Sequence, residues 1–189
     1  MPVGFNDKLV REINQRFYQH WTKSSGRIKL GILDIDGVMT DGTKVYDENH
    51  NVISKNYCDR DFTAIKRLKA AGVNVCFLSG DKRINEGMAK SRGVDFFYSR
   101  DKVNTLNDIL TKYGVVADDC AYIGDDIYDI PVLTNVQYSL CPSNSPDDVK
   151  NYCRHILSSK SGDSVVAEFY DFAIKINSIE KSFLGMVCI

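Results

Sequence analysis

From residue 61 onward, short apolar runs alternate with longer amphipathic segments, and this alternation restricts the possible folds more than any other feature of the chain. The predicted strands lie at 73–78, 95–98, 121–123 and 136–140, and a short helix is predicted between the last two, over 127–134. A continuously apolar strand is buried on both faces, and a helix between two such strands makes them parallel. The sequence therefore predicts an α/β fold, in which a parallel sheet carries helices on both faces.

The remaining segments precede or follow this alternation. Apolar spacing predicts a helix over 6–23, a strand over 29–33 and a final amphipathic helix over 163–179. The runs 43–46 and 52–57 alternate around a polar turn, which is typical of a β-hairpin. We predict a single domain over 1–189, with an N-terminal helix extension at 1–27, a hairpin flap at 43–57, and a C-terminal helix and tail at 163–189.

The composition excludes several classes of function. The 189 residues carry a formal net charge of −1, so no basic field would attract nucleic acid or an anionic membrane. No apolar run approaches the ~20 residues that cross a bilayer, and residues 1–8 lack the apolar stretch of a secretory signal. The six cysteines show no Cys-x-x-Cys spacing. These features predict a reduced, cytoplasmic protein without a disulfide framework.

Acidic side chains follow two of the predicted strands. The segments 34–42 and 124–129 come directly after apolar runs, and each contains several aspartates. An unpaired buried carboxylate costs several kcal/mol, so such clusters face solvent, a metal or a substrate. In open parallel sheets, ligands bind beyond the carboxyl ends of the strands. If the two runs are neighbouring strands, the clusters meet at that edge and form a magnesium site with a spare nucleophile.

The first cluster offers both a nucleophile and an acid–base group. An aspartate after a strand attacks phosphorus in line when a divalent cation neutralises the phosphoryl oxygens, which makes Asp34 the candidate nucleophile and a metal ligand. Asp36 lies on the same side of the extended backbone and reaches farther out. It is the candidate group that protonates the leaving oxygen and then activates water. We predict Asp34, Asp36 and Asp125 as the magnesium ligands.

Two further motifs complete the predicted site. Ser79 and Gly80 end an apolar run and offer a hydroxyl and backbone N–H groups to phosphoryl oxygens, although an ordinary strand-ending turn explains them equally well. Lys102 opens a helix and can place a cation on the phosphate, although a single lysine is normally a solvated surface group. In supporting roles, we predict that Asp126 holds a metal-bound water and that Asp129 orients Lys102.

Other interpretations of the acidic segments fail on detail. An EF-hand calcium loop needs glycine at its sixth position, where counting from Asp34 gives Met39. Gly-Asp-Asp also occurs in two-metal polymerases, but this chain is short and has no basic channel. It contains no Gly-x-Gly-x-x-Gly or Walker motif, so the sequence indicates no nucleotide cofactor.

These residues, in this order, resemble the four motifs of the haloacid dehalogenase superfamily of phosphotransferases. Segments 34–42, 79–80 and 124–129 look like its first, second and fourth motifs, and Lys102 looks like its third. The sequence Asp-Gly-Val-Met-Thr-Asp-Gly, followed by a hairpin, is similar to a cap-less branch that dephosphorylates 3-deoxy-octulosonate 8-phosphate and nonulosonate (sialic-type) 9-phosphates. The resemblance runs from about residue 29 to residue 157. It implies a Rossmann-like sheet with no inserted cap domain, and Mg²⁺ as cofactor.

The resemblance also implies a homotetramer, because in that branch the hairpin assembles the subunits and a neighbouring subunit roofs the active site. The corresponding segment here is 44–57, and the alternative is an exposed flap on a monomer. Two departures bear on the substrate: the second motif continues Ser-Gly-Asp-Lys-Arg, and segment 161–168 lacks an arginine that the branch commonly has there. Lys82, Arg83 and Arg100 are the candidate replacements for recognising a sugar carboxylate.

The predicted function is magnesium-dependent hydrolysis of a phosphorylated sugar acid, of the octulosonate 8-phosphate or nonulosonate 9-phosphate type, through an aspartyl-phosphate intermediate. One alternative is a phosphatase for another sugar phosphate. Another is a non-catalytic oligomerising module related to the family, but such a module is expected to lose an acidic motif residue and none is missing here. Phosphoryl transfer to a second sugar would need a roof that excludes water, and the sequence shows no inserted domain to provide one.

Overall fold

The computed structural model describes residues 27–177, and the predicted N-terminal helix at 6–23 and the tail at 182–189 lie outside them. The strands are β1 (Leu30–Leu33), β2 (Val45–Tyr46), β3 (Val52–Ser54), β4 (Asn74–Ser79), β5 (Asp95–Tyr98), β6 (Cys120–Ile123), β7 (Tyr138–Cys141) and β8 (His155–Ile156). The α-helices are α1 (Asp59–Ala70), α2 (Arg83–Ser91), α3 (Lys102–Tyr113), α4 (Ile130–Leu133), α5 (Asp147–Lys150) and α6 (Val165–Asn177). None of these helices combines the length and apolar character needed to cross a membrane.

Six of the strands form one parallel sheet in the order β5-β4-β1-β6-β7-β8, while β2 and β3 pair as a separate antiparallel hairpin. β1 lies in the middle, where Leu33 pairs with Phe77 of β4 and with Ile123 of β6. This topology confirms the predicted α/β fold. It also places the carboxyl ends of β1, β4 and β6 side by side, so the segments that follow these strands meet at one edge of the sheet.

Alternate side chains of the strands pack against different helices, as a sheet covered on both faces requires. Leu33 and Phe77 belong to a core formed with α1, α2 and α6. Ile32, Leu78 and Tyr122 belong to a second core, formed with α3, α4 and α5. All five side chains are fully buried. Packing on both faces holds the sheet in place, and with it the carboxyl edge at which the acidic segments lie.

The hairpin is shorter than the predicted strands 43–46 and 52–57. Its paired residues are only Val45–Tyr46 and Val52–Ser54. Lys55 and Tyr57 leave the pairing and turn inward, because Lys55 Nζ and Tyr57 Oη both donate hydrogen bonds to Asn85 Oδ1, at 2.9 and 3.2 Å. The second half of the predicted strand therefore connects the hairpin to α2.

A buried carboxylate from α1 caps the last helix. Asp61 Oδ1 accepts hydrogen bonds from the backbone N–H groups of Val166 (2.9 Å) and Ala167 (3.1 Å). These groups lie in the first turn of α6, where backbone donors have no partner within the helix. Burial raises the pKa of Asp61 to about 6, against the effect of these two hydrogen bonds. The contact joins the first and last described helices.

We expect His155 to make the fold less stable in mild acid. Burial lowers the pKa of this histidine to about 4, and its ring lies 4.7 Å from that of Phe172. The unfolded chain binds the proton near pH 6.5, so stability is fully present above that pH and is lost as the pH falls toward 4, by up to about 3 kcal/mol. Urea unfolding at pH 7 and pH 5 should show this loss, and His155→Phe should reduce it. An identical pH dependence in the two proteins would contradict the assignment.

Candidate active site

The carboxyl edge of the sheet brings the two acidic segments together. Asp34 follows β1, and its backbone N–H donates to Ile123 O of β6 at 2.9 Å, which continues the ladder into the first motif. One carboxylate oxygen from each of Asp34, Asp125 and Asp129 lies within 4.8 Å of the other two. Asp34 and Asp129 are buried, and Asp125 is half-buried. Three acidic groups therefore share one largely enclosed space.

Lys102 is the cation that the structure places against these carboxylates. Its Nζ lies 2.6 Å from Asp129 Oδ1 and 2.9 Å from Asp34 Oδ2. Burial lowers the pKa of Lys102, but the charges of Asp34 and Asp129 outweigh burial and raise the pKa overall. One ammonium against three carboxylates leaves two uncompensated negative charges, which equals the charge that a divalent cation neutralises.

Burial raises the proton affinity of two of these carboxylates. Burial raises the pKa of Asp34 to about 7, against the opposing effect of Lys102 and with added repulsion from Asp129. Burial, followed by repulsion from Asp34 and Asp129, raises the pKa of Asp125 to about 8. Both shifts show that the site favours an added positive charge, whether it comes from protons or from a metal ion.

Asp129 holds the site together through both carboxylate oxygens. Oδ1 accepts hydrogen bonds from Lys102 Nζ and from Tyr122 Oη, at 2.6 and 2.5 Å. Oδ2 accepts the backbone N–H groups of Asp125 and Asp126, at 2.9 and 3.0 Å. The predicted contact between Asp129 and Lys102 is thus present. Each Asp129 oxygen thus has two donors. Each Asp34 oxygen has only one, the backbone N–H of Ile35 on Oδ1 at 2.8 Å and Lys102 Nζ on Oδ2 at 2.9 Å, so Asp34 and Asp125 are the carboxylates that would have lone pairs left for a metal.

The residues present fit a magnesium ion. Asp125 Oδ1 is buried and has no hydrogen-bond partner among residues 27–177, so one oxygen of this carboxylate is unsatisfied. Gly37 adopts a left-handed backbone conformation (φ 87°), and a Cβ at this position would overlap the Asp125 carboxylate. Oxygen ligands with excess negative charge are the donor set that Mg²⁺ prefers. Asp34 and Asp125 are therefore the residues that would hold it.

One pocket of about 420 Å³ contains most of the predicted site residues. Its lining residues come from every motif that the sequence analysis singled out: Asp34, Asp36, Ser79, Gly80, Asp81, Arg100, Lys102, Asp126 and Tyr128. Ser79 ends β4, and its Oγ accepts the backbone N–H of Asp81 at 3.2 Å. The structure thus brings the nucleophile, acid–base and phosphate-binding candidates to one concave surface.

Asp36 and Asp126 lie in the pocket wall but outside the cluster of three carboxylates. Asp36 Oδ1 accepts a hydrogen bond from Lys55 Nζ at 2.7 Å, and Oδ2 accepts one from Asn85 Nδ2 at 3.0 Å. Asp126 Oδ1 accepts the backbone N–H of Ile127 at 2.5 Å and caps the short 3₁₀ turn there. Metal ligation by Asp36 and a metal-bound water on Asp126 both stay predictions.

The three cations predicted to recognise a sugar carboxylate differ in the contacts that they make. Arg83 binds Asp81 through two hydrogen bonds, Nε to Oδ1 at 2.8 Å and Nη2 to Oδ2 at 2.7 Å, and these bonds lower the pKa of Asp81. Lys82 lies over the ring of Tyr98, 5.6 Å from its centroid. Arg100 lines the pocket and makes no ion pair within the described residues.

Sequence reasoning missed Lys55, Asn85 and Tyr122 as site residues. Lys55 lies in the hairpin, Asn85 in the first turn of α2, and Tyr122 within a strand that reads as apolar. No motif marks the first two, since their contacts with Asp36 cross 19 and 49 residues of sequence. Tyr122 could have been recognised from the sequence, because a buried phenol in an apolar strand needs a hydrogen-bond partner.

Known proteins resemble this chain in sequence and in fold. The model of the haloacid dehalogenase-like hydrolase family matches residues 96–169. The 3-deoxy-D-manno-octulosonate 8-phosphate phosphatase of Haemophilus influenzae is 35% identical over 151 residues, which cover 78% of this chain and 83% of that protein. The solved cobalt-bound form of the phosphatase from this organism has a TM-score of 0.76 at 34% identity, with 80% of this chain and 90% of that chain covered.

A more distant structure shares the fold. The 3-deoxy-D-manno-octulosonate 8-phosphate phosphatase of Moraxella catarrhalis, solved with a magnesium ion, a phosphate ion and a KDO molecule, has a TM-score of 0.77 at 23% identity. The alignment covers 87% of this chain and 93% of that chain. From the order of the motifs, their convergence at one sheet edge and the identity to the Haemophilus enzyme, this chain belongs to the haloacid dehalogenase-like hydrolases, in the branch of the 3-deoxy-D-manno-octulosonate 8-phosphate phosphatases.

Proposed function

We propose that this chain is a magnesium-dependent phosphatase that hydrolyses a phosphorylated sugar acid, with Asp34 as the nucleophile. The observation that supports this most is the contact of Asp34 with Lys102 beside the unsatisfied Asp125 oxygen, at the edge of a pocket. Lys102 compensates part of the negative charge around Asp34, and a magnesium ion held by Asp34 and Asp125 would compensate the rest, so that a phosphoryl group can approach the nucleophile. The relatives with the same motifs are phosphatases of a sugar acid phosphate.

In the first half of the reaction, a carboxylate oxygen of Asp34 forms a bond to phosphorus while the bond from phosphorus to the sugar oxygen breaks. Asp36 gives its proton to that leaving oxygen, so the sugar departs as an alcohol. Lys102 and the hydroxyl of Ser79 bind phosphoryl oxygens. A magnesium ion held by Asp34 and Asp125 would neutralise charge on the phosphoryl group.

In the second half, water restores the enzyme. Asp36, now a carboxylate, takes a proton from a water molecule whose oxygen forms a bond to phosphorus. The bond between phosphorus and Asp34 breaks, which releases inorganic phosphate and returns Asp34 to its starting form. Asp36 ends with the proton that it lost, so the proton count balances over the cycle.

The sugar part of the substrate would extend toward Arg100 and Tyr128, two exposed residues of the pocket lining. Arg100 is the proposed carboxylate-binding residue, since Arg83 is occupied by Asp81 and a guanidinium matches a carboxylate with two parallel hydrogen bonds. A pocket of about 420 Å³ is within the range that holds small organic ligands.

The proposed assembly is a homotetramer formed through the hairpin, segment 44–57. Val45, Tyr46 and Ile53 are 53%, 50% and 59% exposed, so the hairpin presents apolar side chains that a second subunit would cover. Light scattering on the purified protein should give four times the chain mass of 21.3 kDa. A mass equal to one chain would contradict the tetramer. A cytoplasmic location stays a prediction of the sequence.

Phosphate release from a substrate panel tests the proposed function. The panel contains 3-deoxy-octulosonate 8-phosphate, a nonulosonate 9-phosphate, and neutral aldose phosphates of similar length, each assayed with Mg²⁺. We expect kcat/KM for at least one sugar acid to exceed that for every neutral sugar by about tenfold or more, since one charged contact is worth roughly that factor. Equal rates on neutral sugars would contradict the sugar-acid preference. No release from any substrate would leave the oligomerising module as the better account.

A further inference from the structure

We infer that Lys55 and Asn85 are positioning residues for Asp36, so that the hairpin and α2 together aim the carboxylate that carries the proton. This inference rests on the proposed function, because it concerns the proton transfers described above. It extends that function because it assigns the hairpin a role in the active site of its own subunit, where Lys55 positions Asp36. This role is separate from any role in assembly.

The side chain of Lys55 is buried, and acceptors surround its ammonium group. Its side chain is 0% exposed, and an ammonium removed from water costs several kcal/mol unless each of its protons meets an acceptor. Nζ lies 2.7 Å from Asp36 Oδ1, 2.9 Å from Asn85 Oδ1 and 3.4 Å from Asp81 Oδ2. The three N–H groups of the ammonium thus reach three acceptors: Asp36 after β1, Asp81 after β4, and Asn85 on α2.

Asn85 is fully buried, and Lys55 fixes the direction of its amide. The amide oxygen must face the ammonium of Lys55, which also brings it within 3.2 Å of Tyr57 Oη. The amide nitrogen then points the other way, where its two protons are shared among Asp81 O at 2.9 Å, Asp36 Oδ2 at 3.0 Å and Ser79 Oγ at 3.2 Å. Through Asn85, the residue proposed to transfer protons and the hydroxyl proposed to bind phosphate share one support.

Both oxygens of Asp36 are therefore held. Its carboxylate cannot rotate without breaking the bond from Lys55 or the bond from Asn85. A general acid acts only within hydrogen-bond reach of the leaving oxygen, and a displacement of about 1 Å can cost about 100-fold in rate. The orientation of the Asp36 carboxylate thus depends on Lys55 and Asn85, which do not contact the substrate in the proposed reaction.

A purely structural role for Lys55, as an anchor of the hairpin, makes a different prediction, and Lys44 separates the two. Lys44 lies on the same hairpin and pairs with the same Asp81, 3.1 Å from Oδ2. Its Nζ is 3.8 Å from Asp36 Oδ2, an ion pair without a hydrogen bond. Lys44→Met removes a hairpin anchor and leaves both hydrogen bonds to Asp36 in place. It is the matched control for Lys55→Met.

The experiment compares two kinds of phosphate ester with each variant. A sugar or other alkyl phosphate releases an alkoxide that needs a proton from Asp36, whereas p-nitrophenyl phosphate releases a stable phenolate that does not. We expect Lys55→Met to lower kcat/KM about 100-fold on the alkyl phosphate. On p-nitrophenyl phosphate the loss in kcat/KM should be at least ten times smaller, about tenfold or less. Asn85→Ala should show the same imbalance. Lys55→Arg should recover part of the loss, and Lys44→Met should change both substrates by one small common factor.

Equal losses on the two esters in Lys55→Met and Asn85→Ala, or no loss in either, would overturn the inference. Thermal unfolding shows whether a variant folds, and if Lys55→Met does not, the ester ratio is taken from Lys55→Arg and Asn85→Ala. Failure of the proposed function looks different, since the wild-type protein would then hydrolyse neither ester. A wild-type protein that hydrolyses both, with variants that lose the same factor on each, removes only the role assigned to Lys55 and Asn85.

Discussion

Asp34→Asn is expected to lower kcat for phosphate release by at least about 10⁴-fold, the largest effect of any single substitution in this chain. Asparagine keeps the volume of the side chain, but its amide is a poor nucleophile and cannot form the acyl-phosphate bond. The substitution also removes one of the two carboxylates available to the metal. Steady-state kinetics on the best substrate of the panel measures the loss.

The control for this substitution is Asp95→Asn. Asp95 begins β5, so it lies at the amino edge of the same sheet, and its carboxylate accepts a hydrogen bond from Tyr113 Oη at 2.7 Å. We expect Asp95→Asn to keep turnover within about twofold, since surface substitutions away from special features have small effects. Turnover in Asp34→Asn equal to that of this control would show that another residue attacks phosphorus.

Removal of the divalent cation is expected to reduce phosphate release to the background rate, and added Mg²⁺ should restore it. Asp34, Asp125 and Asp129 face one Lys102, and without the cation two negative charges repel the approaching phosphate. Asp125→Asn removes one of those charges together with the unsatisfied oxygen. We expect it to raise the half-saturating Mg²⁺ concentration by about tenfold to 100-fold.

Titration of activity with Mg²⁺ after treatment with EDTA measures both effects. Asp95→Asn, assayed in parallel, should keep the wild-type half-saturation. Full activity in EDTA would contradict a role for the metal. An unchanged half-saturation in Asp125→Asn would show that the ion binds elsewhere, even if activity depends on it.

The sequence was sufficient to predict the parallel sheet and the edge of the sheet at which the acidic segments lie. Those inferences depend on local patterns: an apolar run marks each central strand, and the position of Asp34 and Asp125 after such runs places them at the carboxyl edge. The neighbouring arrangement of β1 and β6 turns this into a contact. Residue type and chain position were therefore enough to predict that Asp34 and Asp125 lie at this edge, and the pairing of β1 with β6 supplied the rest.

The support around Asp36 could not be predicted, because it depends on contacts between elements that are far apart in the chain. Lys55 reaches Asp36 only because the second hairpin strand ends at Ser54 and the chain then turns inward. Nothing in a run of alternating residues indicates where the pairing stops. Asp81 illustrates the same limit, since its sequence position near Ser79 does not reveal that two hairpin lysines pair with it.

The short helix after the fourth motif shows a smaller difference of the same origin. The sequence predicts one helix over 127–134, whereas the chain forms a 3₁₀ turn at Ile127–Asp129 and then α4. Asp129 uses both carboxylate oxygens on Lys102, Tyr122 and the backbone, which tightens this turn. Local propensity is overridden where a residue serves the site, as expected for functional positions.

A crystal structure with Mn²⁺ in place of Mg²⁺, read by its anomalous signal, tests the central claim most directly. We expect one strong peak between the carboxylates of Asp34 and Asp125, about 2.0–2.3 Å from an oxygen of each. A peak bound to other residues, or no peak at a concentration that supports full activity, would contradict it.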